Sequence, residues 1–203
     1  MSSRRALLES LLLSRLPSAF QEVEYIESSG TQYIDTGVSG GSTGGYEISF
    51  QPTSYLRNYQ QYLAGDRLTT GNKVPKLFAY SSLLQFRIEG NTTYQLTLTS
   101  GVFNKIEVKE NGDFYLNGTQ EGTFTISNGF GDKTMCIFNA NEENNLFSAM
   151  RLEYLKLNKD GTLVRYFIPC YRKADNEVGL YDLVNGVFYT NAGTGTFTKG
   201  GNV

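Results

Sequence analysis

Three glutamates lie close together near the start of the chain, in the run Glu22-Val23-Glu24-Tyr25-Ile26-Glu27. If this run is a β-strand, alternate side chains share a face, and two carboxyl groups there can lie about 5–5.5 Å apart. That separation suits cleavage of a glycosidic bond, in which one carboxyl group is the acid and the other the nucleophile. The alternative, which we favour, is an edge strand whose charged outward positions discourage pairing with another sheet.

Other residue types limit the remaining chemistry. The sequence contains no His, which excludes Ser-His-Asp triads, Cys-His pairs and zinc sites that use His. Cys136 and Cys170 fit neither a metal spacing nor a CxxC redox pair, and two buried free thiols are favoured over a disulfide. Asp35, Asp66 and Asp182 could ligate calcium, but no loop has the ligand spacing, so turn-forming roles are expected. We therefore predict no catalytic residue, no metal ligand and no cofactor.

The composition is typical of a protein built from strands and turns. The 203 residues include 22 Gly, 14 Tyr and 13 Phe but only 4 Pro, and aromatic residues favour strands while Gly favours turns. From Glu22 onward, short strand-like runs alternate with turn signals, which predicts an all-β sandwich of antiparallel sheets. One such run, from Tyr46 to Phe50, alternates in polarity and is predicted to stop at Pro52.

The sequence IEVKENGDFYL, from Ile106 to Leu116, predicts a β-hairpin whose register can be assigned. A two-residue Asn-Gly turn would place the apolar side chains of the two strands on opposite faces. A three-residue loop that ends with Gly112 at a positive φ sets Val108 opposite Phe114 and Ile106 opposite Leu116. We predict this second register because it buries the four apolar side chains together.

The first sixteen residues form a leucine-rich segment unlike the rest of the chain. We predict a helix over residues 1–16 for docking or oligomerisation, a linker over 17–21 and the sandwich over 22–203. Pro17 would end the helix, and so short a helix needs a packing partner to be stable in water. Four leucines at i, i+1, i+4 and i+5 would form an apolar stripe on one helix face: Leu7, Leu8, Leu11 and Leu12.

Two other interpretations of this segment stay open. A secretory signal peptide also places basic residues before a leucine-rich stretch, but Glu9 and Arg15 interrupt the apolar run and no small-residue cleavage site follows cleanly. The helix could instead pack on its own domain. Docking to another chain, either sister copies or a larger protein, is preferred because the sandwich has a core of its own.

Both ends of the predicted sandwich carry a family resemblance. LPSAFQEVEYIESSGTQYIDTG, from Leu16 to Gly37, resembles the start of the laminin-G-like, concanavalin A-like domains of phage and gut-bacterial surface proteins. VRYFIPC, GLYD and FYTNAGTGTF, between Val164 and Phe197, resemble the end of those domains. The resemblance covers roughly residues 16–198 and implies a jelly roll of two curved antiparallel sheets packed face to face. It says less about function, because such domains are attached to many unlike proteins.

The short N-terminal segment adds a phage context to this resemblance, and we expect a non-catalytic structural or adhesive protein of a phage virion, such as a head fibre, a capsid decoration or a tail-associated subunit. Residues 1–16 would bind other virion proteins, and the lectin-like domain would face outward toward host or mucosal glycans. We expect a homo-oligomer, with a trimer as the first guess, assembled in the cytoplasm of the bacterial host. Neither a nucleic-acid partner nor a membrane span is expected, because the net charge is −2 and no long apolar run is present.

The alternative is a carbohydrate-active enzyme or a secreted bacterial lectin on the same fold. Glycosidases of this fold carry an E-x-D-x-x-E pattern in mid-domain, whereas here Glu24 takes the place of the Asp and the run begins the first strand. For glycan binding, the tyrosines in loop-like or strand-end contexts are the candidates, since sugars stack on aromatic rings: Tyr55, Tyr59, Tyr62 and Tyr80.

Overall fold

The computed structural model of the chain describes residues 16–54, 61–65, 74–82, 85–89, 92–139 and 148–203. The predicted helical stripe of Leu7, Leu8, Leu11 and Leu12 lies outside the described residues. Within them, the chain forms β-strands and no helix. The described residues therefore include no helix that could cross a membrane. The strands are β1 Phe20–Glu22, β2 Ile26–Ser29, β3 Ile34–Asp35, β4 Gly44–Ser54, β5 Gln61–Gly65, β6 Lys76–Ser82, β7 Gln85–Glu89, β8 Thr93–Thr97, β9 Asn104–Val108, β10 Asp113–Leu116, β11 Thr119–Thr123, β12 Cys136–Ile137, β13 Ala149–Lys159, β14 Thr162–Arg172, β15 Val178–Asp182, β16 Val187–Tyr189 and β17 Thr198–Lys199.

These strands form two antiparallel sheets. The larger sheet has the order β11-β10-β9-β4-β13-β14-β15-β16, with β1 beside β14, β2 beside β13, and β17 beside β2. The smaller sheet has the order β3-β12-β5-β6-β7-β8. Their facing side chains form one apolar core, to which the larger sheet contributes Phe50 and Leu155 and the smaller contributes Leu63, Leu77 and Ile137. The predicted all-β class with two antiparallel sheets is confirmed.

Strand β4 continues past the point where the sequence predicted its end. Its run from Tyr46 to Phe50 alternates as expected, but the strand passes through Pro52 and ends at Ser54. Neighbouring β9 stops opposite Phe50, and the pairing with β13 shifts register between Ala149 and Met150. The proline therefore lies where the strand has lost one neighbour and is irregular against the other, which is where a residue without an N–H is tolerated.

A second apolar cluster covers the opposite face of the larger sheet. Phe167 points into the main core, whereas the next residue, Ile168, packs with Leu16 and Cys170 on the outer face. Phe20 stacks there, 5.0 Å from the ring of Tyr181. The sheet thus begins at Phe20, inside the stretch 17–21 predicted as a linker, because Phe20 gains both a ring contact and strand pairing with β14.

The hairpin of β9 and β10 has the predicted register. Val108 pairs with Phe114 and Ile106 pairs with Leu116. Gly112 has a φ of 90° and its N–H donates to the carbonyl of Lys109, which closes the three-residue loop. Both the loop length and the burial of the apolar pairs are therefore confirmed, with Leu116 partly buried and the other three buried.

This loop provides a test of the fold. Gly112 and Gly118 both have a positive φ, but a Cβ on Gly112 would lie 1.8 Å from the carbonyl oxygen of Phe124, whereas one on Gly118 would meet nothing within 4 Å. Substitution by Ala should cost about 1–2 kcal/mol at either site for the left-handed conformation. We expect Gly112→Ala to cost about 1–3 kcal/mol more, for the overlap. The free energy of unfolding in urea measures both variants, and equal losses would contradict the assigned loop.

Candidate functional site

The larger sheet opens into a fork between β13 and β14. These strands pair from Lys159 opposite Thr162 to Leu155 opposite Phe167, and beyond that point each takes a different neighbour. One extended segment, residues 20–29, pairs first with β14 through β1 and then with β13 through β2. The residues of this segment that join β1 to β2 therefore bridge the mouth of the fork.

The last residues of the described chain hold this bridging segment in place. The N–H of Glu24 donates to the carbonyl of Gly201 at 3.0 Å, and that of Gly200 donates to the carbonyl of Tyr25 at 3.0 Å. The N–H of Val203 donates to the carbonyl of Glu22 at 3.1 Å. Strand β17 continues this pairing along β2. The bridge is thus paired along its length rather than free as a loop.

A groove of about 610 Å³ lies at the fork. Its volume is within the range of about 300–1,000 Å³ that is typical of small-molecule sites. Aromatic and acidic side chains dominate the lining, with a few aliphatic side chains between them. The lining residues are Tyr25, Phe103, Tyr154, Tyr166, Glu22, Glu24, Glu153, Val23, Ile168 and Val203.

Arg151 orients Tyr25, one ring of the first aromatic pair in the groove. The rings of Tyr25 and Phe103 lie 6.1 Å apart, and the guanidinium carbon of Arg151 lies 4.5 Å from the centre of the Tyr25 ring. Arg151 Nε also donates to Glu27 Oε2 at 2.9 Å, and another guanidinium nitrogen donates to Gln51 Oε1 at 3.3 Å. Because these two polar contacts fix the guanidinium plane, the Tyr25 ring has a defined surface to stack on.

The second pair of rings forms the floor of the groove. Tyr154 and Tyr166 meet edge to face at 6.4 Å, and Lys156 Nζ lies 5.4 Å and 5.1 Å from their ring centres. The same ammonium group donates to Glu47 Oε1 at 3.0 Å. The two tyrosines are thus held against a lysine whose own position is set by an ion pair.

Glu47 is the centre of a polar network on the outer face of the sheet. Burial raises the pKa of this carboxyl group, but hydrogen bonds from Lys105, Lys156 and Tyr154 outweigh burial and leave the pKa below its usual value. Burial and the nearby Glu47 carboxylate raise the pKa of the Tyr154 hydroxyl. Tyr154 therefore stays protonated and donates its hydrogen bond to Glu47.

The structure does not bring the three glutamates of the sequence motif into one site. Glu27 is bound to Arg151 and does not line the groove, whereas Glu22 and Glu24 do. Glu24 Oε2 accepts a hydrogen bond from the N–H of Gly201 at 3.0 Å. The third acidic residue in the groove is Glu153, which sequence reasoning missed and whose Oε2 accepts a hydrogen bond from the hydroxyl of Ser49.

The two calcium candidates within the described residues form turns, as expected. Asp35 Oδ1 accepts the N–H of Gly37 at 2.9 Å. The buried carboxylate of Asp182 accepts the N–H groups of Tyr166 and Val184 at 3.0 Å each. Across the described part of the chain, no group of three or more Cys, Asp or Glu side chains could hold a metal ion. Asp66 lies outside it.

The groove aromatics differ from the tyrosines proposed on sequence. Tyr55 and Tyr59 lie outside the described residues, and Tyr62 and Tyr80 belong to β5 and β6 of the smaller sheet. A usable signal was present in the sequence of β13, where Leu155 and Leu157 alternate toward the core and Tyr154 stands on the other face. An aromatic side chain on the polar face of a strand is a candidate contact residue.

Comparison with known proteins shows the fold but no family. No family model and no curated protein matches the sequence. Among solved structures, the chain is similar to a crystal structure of a Bacteroides ovatus protein whose proposed role is carbohydrate binding. The match has a TM-score of 0.60 at 13% identity and covers 90% of this chain and 62% of that chain. This likeness shows the fold. The chain spans less than two thirds of the length of the Bacteroides protein.

The two cysteines are both buried, neither forms a disulfide, and they lie on different sheets. Burial and the charge of nearby Glu22 raise the pKa of the Cys170 thiol to about 12. In a Cys136→Ala variant, Cys170 should react with an aromatic disulfide reagent at about pH 8 roughly a thousandfold more slowly than in denaturant, because little thiolate is present. Fast reaction of the folded variant would show that the apolar cluster around Leu16 opens readily.

Proposed function

We propose that this chain is a non-catalytic carbohydrate-binding domain of the concanavalin A-like, jelly-roll type and that the groove at the fork is its glycan site. The observation that carries the proposal is the lining of the groove, in which four aromatic rings stand beside three carboxyl groups. The apolar C–H faces of sugar rings pack on aromatic side chains, and sugar hydroxyls donate hydrogen bonds to carboxylates.

The positions of these groups favour binding of a ligand without large rearrangement. Tyr154 and Tyr166 lie on two strands that are paired to each other up to Leu155 and Phe167, just beside the groove. Tyr25 is held by Arg151, and the backbone on either side of it is paired. Aromatic side chains that are already ordered lose little conformational entropy when a sugar stacks on them.

The acidic groups argue for binding rather than hydrolysis. A retaining glycosidase needs two carboxyl groups close together, one to donate a proton and one to attack. Glu27 is neutralised by Arg151 outside the groove, and Glu24 and Glu153 already accept hydrogen bonds from the protein. The similar Bacteroides ovatus structure supports the same assignment, since its proposed role is also binding.

We further propose that the domain belongs to a phage virion, where residues 1–16 attach it to other virion proteins and a homo-oligomer forms. The support for this part is the sequence resemblance over residues 16–198 and the stripe of Leu7, Leu8, Leu11 and Leu12. Full burial of a leucine contributes about 1.5–3 kcal/mol, so four leucines could hold an assembly together once the entropy of association is subtracted.

The glycan proposal predicts that removal of an aromatic ring from the groove weakens glycan binding. We expect Tyr25→Ala and Phe103→Ala each to lower the affinity for a bound oligosaccharide about tenfold, since a stacking contact is worth roughly 1 kcal/mol or more. Tyr115→Ala is the matched control, because Tyr115 lies near the far edge of the same sheet and stacks on Lys109.

A glycan array followed by titration calorimetry measures these affinities, with melting temperatures to confirm that each variant is folded. If Tyr25→Ala and Phe103→Ala bind as tightly as the unchanged chain and the Tyr115→Ala control, the glycan site lies elsewhere. Release of reducing sugar from a bound oligosaccharide, abolished by Glu22→Gln, would overturn the non-catalytic assignment.

The attachment proposal predicts that removal of residues 1–15 leaves a folded sandwich that no longer assembles. The truncation keeps Leu16, because this side chain is 8% exposed and belongs to the outer apolar cluster. Light scattering after size-exclusion chromatography measures the mass of the full and truncated chains. An unchanged number of copies per particle would mean that the leucine stripe is not the anchor. If neither the full nor the truncated chain assembles while the domain still binds glycans, a secreted lectin would be favoured.

A further inference from the structure

The charge of the groove restricts the kind of glycan it can accept. We infer that the groove prefers amine-bearing, positively charged oligosaccharides to neutral ones and rejects anionic ones. This inference rests on the proposed glycan-binding function and names the ligand class for the same groove.

Among the described residues, the groove lining carries negative charge and no positive charge. Of the ten described residues that line the groove, three are glutamates, Glu22, Glu24 and Glu153, and none is Lys or Arg. Glu24 and Glu153 are exposed at the surface of the groove, so their carboxylates are open to a ligand. A uronate or sulfate group would bring like charge against these carboxylates, whereas an ammonium group would pair with them.

The described cations that contact the groove rings or share their acid partners are each already paired with an acid outside the lining. Lys156 and Lys105 both bind Glu47 at 3.0 Å, on the two sides of its carboxylate. Arg151 binds Glu27 at 2.9 Å. Glu24 and Glu153 accept hydrogen bonds from a backbone N–H and a hydroxyl rather than from a cation, so an incoming ligand meets their negative charge.

The aromatic rings favour the same ligand class. The face of a Tyr ring is negative and attracts a cation within about 6 Å of its centre. The protein itself uses this attraction at three of the four rings, since Arg151 lies over Tyr25 and Lys156 lies over both Tyr154 and Tyr166. Rings that already accept a cation on one face, beside the exposed carboxylates of Glu24 and Glu153, form a site where an ammonium group gains from both features.

The test compares three hexasaccharides by titration calorimetry on the full chain, at a pH where the amines are protonated. They are the hexamers of glucosamine, of N-acetylglucosamine and of galacturonic acid. The first two differ only by an acetyl group on nitrogen, so their ratio isolates the charge. We expect the amine form to bind about tenfold more tightly than the acetylated form at low salt and the uronate not to bind. The preference should shrink above about 0.1 M salt, where the screening length falls to about 10 Å.

Variants assign the preference to the groove. Glu24→Gln and Glu153→Gln should each lower the amine preference, measured as the ratio of the affinities for the amine and neutral hexamers, about threefold or more. Glu121→Gln is the control, because Glu121 is exposed on β11 at the far edge of the sheet. Equal binding of amine and neutral forms, stronger binding of the uronate, or an amine preference that both groove variants retain would overturn the inference while leaving the glycan proposal intact. Failure of every hexamer to bind would also overturn it, and a wider neutral glycan array with Tyr25→Ala then tests the proposed function separately.

Discussion

The separation of β13 from β14 is the constraint on which the rest of this structure depends. Two strands that part within a sheet leave N–H and C=O groups without partners, and such groups are costly unless paired or solvated. The chain meets this requirement with residues 20–29, which pair with β14 and then β13, and with residues 198–203, which pair along the other side. Both ends of the domain are thus committed to one structural task, and the groove is the space that remains between the strands they separate.

The larger sheet is apolar on both faces near its β15 edge, which explains two features of the sequence. Phe167 and Leu180 belong to the inner core, whereas Ile168 and Tyr181 belong to the outer cluster. A strand buried on both faces has a continuous apolar run rather than an alternating one, as the sequence FIPC shows from Phe167. The outer face then needs a cover, and Leu16 and Phe20 provide it.

Local rules predicted what depends on local sequence. The hairpin register followed from alternation and the glycine that its loop requires, and the all-β class followed from strand and turn spacing. The groove could not be predicted in this way, since Tyr25, Phe103, Tyr154 and Tyr166 meet only when distant segments pair around the fork. The same holds for the passage of β4 through Pro52, which depends on where its neighbours end. The sequence could not show that Glu27 forms an ion pair outside the groove that Glu22 and Glu24 line, because its partner Arg151 lies far along the chain.

The network around Glu47 links the stability of the sheet to the geometry of the groove floor. Because the pKa of Glu47 is held below its unfolded value, the ionised carboxylate stabilises the fold above the unfolded pKa, and this contribution is lost as the pH falls through the folded pKa. Over the pH range where it is ionised, Glu47 holds Lys156 against the rings of Tyr154 and Tyr166 and accepts a hydrogen bond from the Tyr154 hydroxyl. The floor is then ordered before any ligand arrives, and the conformational entropy that a sugar would otherwise have to offset on stacking has been lost during folding.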